Sequence, residues 1–194
     1  MKNIFKVFTF ALLLSISVEK VYCTTNAEIR EQAKILYLGN QREQSQSHIL
    51  TIPENERTAS DYFIIGLTSP TETESIQAYN KAIILDKDFY QAHYNIGSIY
   101  LNAKAYDKAI QYFKDAVKTK KDFAHGYYNL GCAYLKKEEY NHARKSFESA
   151  IKITPEEADY YYNLAYTYKK MGNQKRADKA IALYNELIKK RNKN

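Results

Sequence analysis

The most restrictive feature of this sequence is a segment that occurs twice at a fixed spacing. The first copy, HYNIGSIYLNAKAYDKAIQYF, runs from His93 to Phe113, and the second, YYNLGCAYLKKEEYNHARKSF, runs from Tyr127 to Phe147. Agreement at one fixed period of this size predicts a repeat architecture, in which similar units stack in a row. Each unit then packs on its neighbours, and the units share one continuous core.

Apolar residues recur at helical spacing within each copy. In the first copy, Tyr94, Gly97 and Tyr100 fall on one face of a first helix. After a short turn, Ala109 and Phe113 fall on one face of a second helix. We expect the small residues Gly97 and Ala109 to let the two backbones approach closely, with the ring of Phe113 filling the space beside them.

A possible helix start lies in the segment ITPEEAD. Thr154 is a candidate N-cap, Pro155 would be the first helical residue, and Glu157 follows three residues after Thr154. This arrangement is typical of a capping box with proline at a tolerated position. The pattern therefore predicts that a helix begins at Pro155.

The repeated positions resemble the tetratricopeptide repeat family. The unit 90–123 matches the family pattern except that Lys121 stands in place of proline. The resemblance implies an all-α fold, a right-handed superhelical solenoid of antiparallel helix pairs. The unit 124–157 matches the pattern at Tyr127, Leu130, Gly131, Tyr134, Ala143, Phe147, Ala150 and Pro155.

The outer parts of the chain depart from this pattern, as expected for end repeats that meet solvent on one side. In the unit 56–89 the first helix and its turn are about three residues short. In the unit 158–191 we expect a three-residue insertion in the turn, which would place Tyr184 where Phe113 lies in its own unit. Residues 24–55 are interpreted as a degenerate N-terminal helical segment, and 192–194 as a basic tail.

The first 23 residues have the layout of a signal peptide. Lys2 and Lys6 precede an apolar run from Val7 to Val18, and a more polar stretch ends at Cys23. The run has about 12 residues, short of the roughly 20 that a membrane-spanning helix needs. We expect cleavage after Cys23 and export to a periplasm, a secretory lumen or the medium. A retained anchor and a lipid-modified Cys23 are the alternatives.

The charge balance is mildly basic. The formal net charge is +7, and loss of the leader's three Lys and one Glu would leave +5. Such an excess favours acidic partners or an anionic membrane surface, or contributes only to solubility. Single-strand binding needs aromatic residues exposed along a basic track, whereas most of the 19 Tyr fall at repeat positions and the Lys residues are interspersed with acidic ones. We therefore expect no nucleic-acid partner.

Catalytic and metal-binding patterns are missing from the sequence. The four His residues have no metal-ligand spacing, and no HExxH, GxSxG or phosphate-loop motif occurs. If Cys23 leaves with the leader, Cys132 has no disulfide partner. We predict a protein that is not an enzyme and needs no cofactor or metal.

The resemblance places fixed positions of each first helix on the inner face of the solenoid. Position five gives a row of Tyr and position six a row of Asn, with one member of each row in each of the units 90–123, 124–157 and 158–191. An Asn amide can satisfy a peptide backbone whatever the side chain, and Tyr rings add contact area with a hydroxyl. Lysines near this groove favour acidic or carboxylate-bearing ligands. The predicted groove residues are Tyr94, Asn95, Ser98, Tyr128, Asn129, Cys132, Lys136, Tyr162, Asn163, Tyr166 and Lys170.

These features predict an exported adaptor or scaffold that binds an extended peptide or a partner protein in its concave groove. Tyr and Asn at these positions are also common choices in the family, so a purely structural role is the alternative for the two rows. A second hypothesis is that the units mediate self-association or the assembly of an envelope complex, with the groove idle.

Overall fold

The computed structural model describes residues 24–192, so the predicted leader and the last two residues of the tail lie outside the described part. The described residues are helical and contain no strand, which confirms the all-α prediction. A short 3-10 helix at Glu54–Glu56 precedes the third helix. The α-helices are α1 (Asn26–Leu38), α2 (Arg42–Leu50), α3 (Ala59–Thr68), α4 (Glu72–Leu85), α5 (Tyr90–Asn102), α6 (Tyr106–Thr119), α7 (Ala124–Lys136), α8 (Tyr140–Ile153), α9 (Ala158–Lys170) and α10 (Gln174–Arg191).

The helices form a solenoid of antiparallel pairs. Each helix packs mainly on the helices before and after it in the chain, and the first helices of successive pairs also touch. From α5 onward, new pairs begin at the constant spacing of the repeat, at Tyr90, Ala124 and Ala158. Three-residue turns join α5 to α6 and α7 to α8, which is why the two helices of a pair lie side by side in opposite directions.

Glycine lets the two helices of each central pair approach closely, as the sequence predicts. A Cβ atom added at Gly97 would lie 2.8 Å from the ring of Phe113, and one at Gly131 would lie 2.7 Å from the ring of Phe147. Both rings are completely buried. Any larger residue at these glycines would have to displace a ring that the rest of the core holds in place.

The second pair shows the shortened first helix that the sequence predicts. Gly66 meets the ring of Tyr79 in the way that Gly97 meets Phe113, yet Gly66 and Tyr79 are closer together in the sequence than Gly97 and Phe113. Helix α3 accordingly has 10 residues and α5 has 13. The missing residues come from the last turn of α3.

The last pair does not contain the predicted insertion. Helix α10 begins at Gln174 and α8 at Tyr140, the same spacing that separates the starts of α8 and α6, so the turn keeps its ordinary length. Ile181, not Tyr184, therefore takes the place of Phe147. The prediction was wrong because it assumed that an aromatic ring must fill the core position in every pair. In this pair the small side chains of Ala165 and Ala177 are buried, at 3% and 4% exposed.

The predicted helix start at Pro155 is also wrong. The amide of Thr154 donates to the carbonyl of Ala150, so Thr154 ends α8, and α9 begins at Ala158 with no side-chain cap from Glu157. The backbone of Glu157 is extended, with φ −84° and ψ 108°, so residues 155–157 form the link between the two helices and not the first turn of α9.

A partly buried ion pair joins the N-terminal pair of helices to the rest of the stack. Arg30 on α1 donates from Nε and Nη2 to the carboxylate of Asp61 on α3, at 2.8–3.0 Å. Asp61 is fully buried and also accepts from the backbone N–H of Thr58. Burial by itself raises the pKa of Asp61, but Arg30 and Thr58 outweigh it and hold that pKa below its usual value.

Between residues 24 and 192, none of the helices combines the length and the apolar character that a membrane span requires.

Candidate partner-binding groove

The eleven predicted groove residues lie on three neighbouring helices, α5, α7 and α9. We name the surface that they form the groove face. Its residues are Tyr94, Asn95 and Ser98 on α5, Tyr128, Asn129, Cys132 and Lys136 on α7, and Tyr162, Asn163, Tyr166 and Lys170 on α9.

The two predicted rows are joined by hydrogen bonds between successive units. Nδ2 of Asn129 donates to Oη of Tyr94 at 2.7 Å, and Nδ2 of Asn163 donates to Oη of Tyr128 at 2.8 Å. We name this series the Tyr–Asn ladder. It gives these side chains a structural role, because each bond joins the first helix of one pair to the first helix of the next. The signal was present in the sequence as a Tyr at position five of one unit and an Asn at position six of the next.

The first hydrogen bond of the ladder uses a different hydroxyl. Phe63 takes the place of a ladder Tyr, since its ring lies 5.6 Å from Tyr79 as Tyr94 lies 5.8 Å from Phe113. Phe63 has no hydroxyl, and Asn95 Nδ2 instead donates to Oη of Tyr79 at 3.2 Å. The hydroxyl of Tyr79, which stands where Phe113 lies in the next pair, thus replaces the hydroxyl that Phe63 lacks.

The ladder ends at Tyr162. This side chain is 52% exposed, and no Asn of residues 24–192 donates to it. Its ring lies 5.5 Å from the ring of Tyr184 on α10. The last member of the ladder therefore has an aromatic neighbour from its own pair in place of a neighbour from the next one.

The ladder leaves the carbonyl side of each amide open. Among the described residues, Oδ1 of Asn95, Asn129 and Asn163 accepts no hydrogen bond. Each of these three oxygens is accessible to solvent. The N–H side orients each amide, so three acceptors stand in a row with their positions already set. Such pre-organisation reduces the entropy lost when a ligand binds.

Cys132 and Ser98 share position nine but differ in environment. Ser98 donates from Oγ to the backbone carbonyl of Tyr94 at 3.0 Å. Burial raises the pKa of the Cys132 thiol to about 11, and burial likewise raises the pKa of the neighbouring Tyr128. Cys132 is therefore a protonated thiol at neutral pH, which is typical of a packing residue and unlike a nucleophile.

The far edge of the groove face is basic. Lys136, Lys169 and Lys170 are exposed, and none of them forms an ion pair with a residue of the described chain. Nζ of Lys170 lies 5.5 Å from the centre of the Tyr166 ring. These cations are free to meet a negatively charged group beside two exposed aromatic rings.

The histidines do not gather into a site. His142 stacks on the ring of Tyr134 at 4.9 Å, and His93 lies 6.2 Å from Tyr112. Across residues 24–192 no group of three or more His, Cys, Asp or Glu side chains is placed to hold a metal ion.

Comparison with known families identifies the repeats. Family models described as Tetratricopeptide repeat and TPR repeat match residues 90–123, 131–172 and 158–190. No curated protein sequence matches the chain. The matched segments are thus tetratricopeptide repeats.

Solved structures share the fold at low sequence identity. The MamA RS-1 ArsTM double mutant has a TM-score of 0.78 at 18% identity, covering 87% of this chain and 97% of that chain. A crystal structure of MamA has a TM-score of 0.77 at 20% identity, covering 84% and 97%. MamA from Desulfovibrio magneticus RS-1 has a TM-score of 0.75 at 18% identity, covering 85% and 96%. These similarities show the fold alone.

Proposed function

We propose that this chain, whose residues 90–123 and 131–190 are tetratricopeptide repeats, is an exported adaptor or scaffold that binds a partner on its groove face. The repeats indicate a protein–protein interaction module. The groove face is the surface best suited to this role, because it carries oriented polar groups, exposed aromatic rings and free cations on three adjacent helices.

The row of open Asn oxygens carries the proposal. Neighbouring helices pack about 8–10 Å apart, and an extended peptide advances roughly 3.3 Å per residue. Three acceptors on successive first helices therefore match about every third residue of an extended chain. Backbone N–H groups of a peptide would be recognised in this way whatever its side chains.

The charge of the groove face favours an acidic partner. Lys136 and Lys170 lie on the same helix faces as the open amides, and both are exposed. A carboxylate near these cations would gain a charge-assisted interaction, which is stronger than a neutral hydrogen bond. We therefore propose an extended peptide segment that carries Asp, Glu or a terminal carboxylate.

Export remains part of the proposal and rests on the sequence of residues 1–23. Cell fractionation followed by N-terminal sequencing tests it. A mature chain that starts at Thr24 and leaves the cytoplasm would support export. A cytoplasmic chain that keeps Met1 would contradict it.

The groove is tested by capture of partners from the native compartment with two paired variants. The double variant Asn129→Ala/Asn163→Ala removes the open oxygens together with the ladder bonds. The double variant Tyr94→Phe/Tyr128→Phe removes the ladder bonds and leaves both amides in place. If the amides contact the partner, we expect the first variant to lose binding at least tenfold more than the second.

A charge comparison completes this test. Lys136→Glu should weaken binding and lower its dependence on salt. Lys145→Glu, an equal change on the exposed part of α8, is the control and should bind as the native chain does. Equal binding by all four variants, each with native helicity, would place the contact elsewhere and refute the groove assignment.

A further inference from the structure

The C-terminal end of the stack carries an open cavity. A helix fills the equivalent space one repeat earlier. We name it the C-terminal socket. Its volume is about 260 Å³. It is lined by Tyr162, Ala165, Tyr166, Lys169, Gln174, Ala177, Asp178 and Ile181.

In the preceding pair, helix α9 occupies the equivalent space. The residues that correspond to the socket residues one repeat earlier include Tyr128, Ala143 and Phe147. Tyr128 receives the hydrogen bond from Asn163, while Ala143 and Phe147 belong to one core cluster with Leu164. The socket is thus the site at which a further helix would pack, and no helix of the described chain covers it.

Tyr184 places a large ring at a position where the preceding pairs have a small side chain. The equivalent position in the two preceding pairs is Ala116 and Ala150, both completely buried. Ala150 forms a cluster with Tyr160 of the next pair. Tyr184 instead holds its own ring against Tyr162, where the next pair's ring would lie. The socket therefore differs in shape from the surface on which α7 or α9 packs.

The N-terminal end is the other surface of a second copy that could meet this socket. Helix α1 exposes the acidic residues Glu28 and Glu31 and also the apolar residues Ile35 and Leu38. The charges inside the socket favour a twofold arrangement over a head-to-tail one, and a variant at Leu38 tests the head-to-tail contact.

The socket is complementary to itself. It contains one cation, Lys169, and one anion, Asp178, together with apolar surface from Tyr166 and Ile181, which are 44% and 37% exposed. Lys169 and Asp178 form no ion pair with each other within the chain. In a twofold arrangement the same surface meets itself, so each lysine of one copy can face the aspartate of the other.

We propose that two copies of this chain associate through their C-terminal sockets about a twofold axis. Helix α10, with 18 residues, is about 27 Å long, and two adjacent helices span roughly 20 Å. The face therefore offers on the order of 500 Å² per copy, at the low end for specific interfaces. The dimer is weak and forms in the micromolar range. This inference does not depend on a ligand in the groove, but the dimer would cover Tyr162 and Tyr166, which also belong to the groove face.

Mixing two charge variants tests the arrangement. Lys169→Asp leaves two acids in each socket, and Asp178→Lys leaves two bases. Sedimentation over roughly 1–200 μM, a range set by the small interface, should show a dimer for the native chain. Each variant alone should dissociate at least tenfold more easily, and an equimolar mixture should recover native association. Only an interface in which each socket meets another socket predicts recovery on mixing.

An apolar variant gives a second readout. Ile181→Asp should abolish the dimer, while Leu38→Asp at the opposite end is the control and should leave the mass unchanged. Leu38 is 74% exposed, so the control changes the charge without touching the socket. A native chain that stays monomeric over this range, or a mixture of charge variants that stays monomeric while both are folded, would overturn the proposal.

Discussion

The two ends of the stack differ in their exposed residues and in their contacts with the neighbouring pair of helices. At the N-terminal end, α1 exposes polar residues such as Glu31 beside the apolar Ile35 and Leu38, and an ion pair ties the first pair of helices to the second. At the C-terminal end, Tyr162, Tyr166 and Ile181 remain exposed although the equivalent residues one repeat earlier are largely covered. Exposed apolar side chains thus occur at both ends of the stack. The C-terminal end differs because its exposed rings and Ile181 line one cavity, the socket.

Residues at the same position of the repeat do not contribute equally to stability. Phe113, Phe147 and Ile181 occupy the same position, yet the first two are fully buried and Ile181 is 37% exposed. The difference arises because a following pair covers the first two. A repeat position therefore contributes its full burial only when neighbours lie on both sides.

The largest expected effect comes from removing a covered ring. Phe147→Ala should lower the free energy of unfolding by about 3–5 kcal/mol, because it leaves a cavity beside Gly131. Ile181→Ala, the matched change at the open end, should cost about 1 kcal/mol or less, since much of that side chain is already in water. Urea denaturation of both variants measures the difference. Equal losses would remove the distinction between covered and open repeats.

The next effect concerns the closed end. Arg30→Ala leaves the buried carboxylate of Asp61 without its cation and should cost about 2–3 kcal/mol, below the range for fully buried pairs because Arg30 is partly exposed. Hydrogen exchange should show α1 and α2 losing protection before α5–α8. Lys81→Ala removes the exposed pair with Glu54 and serves as the control, and it should leave the stability nearly unchanged, because water screens an exposed ion pair.

Acid should loosen the same end. Because the pKa of folded Asp61 lies below its unfolded value, near 4, the carboxylate stabilises the fold fully above that pH. The contribution is lost as the pH falls through the folded pKa. The stability difference between the native chain and Asp61→Asn should therefore be constant above about pH 5 and shrink below pH 4. A difference that persists unchanged to pH 2 would show that the ion pair is not responsible.

The smallest effect tests the ladder. Tyr94→Phe removes the acceptor of Asn129 and should cost about 1 kcal/mol, the net value of a typical hydrogen bond. Tyr162→Phe removes a hydroxyl that accepts no hydrogen bond from an Asn, so the loss of stability should be close to zero. Thermal unfolding of the two variants gives the comparison. A larger loss for Tyr162→Phe would contradict the assignment of Tyr162 as the ladder's open end.

Much of the fold was predictable because it follows from local spacing. The repeat period, the contact of Gly97 with Phe113 and the shortened α3 all rest on residues within one pair of helices. The inserted turn and the helix start at Pro155 were predicted wrongly. Both lie where one helix is connected to the next, at the turn before α10 and at the extended backbone of Glu157 before α9, and the local spacing of apolar residues does not specify such links.

The sequence by itself determined the kind of architecture and the helices that carry the groove residues, since helical periodicity and repeat spacing are properties of the chain. Only the tertiary structure decided what those residues do to one another. Asn129 binds Tyr94 and Tyr184 lies against Tyr162 because adjacent helices are rotated so that these side chains meet. That rotation depends on packing summed over many contacts, and no single segment of the sequence contains it.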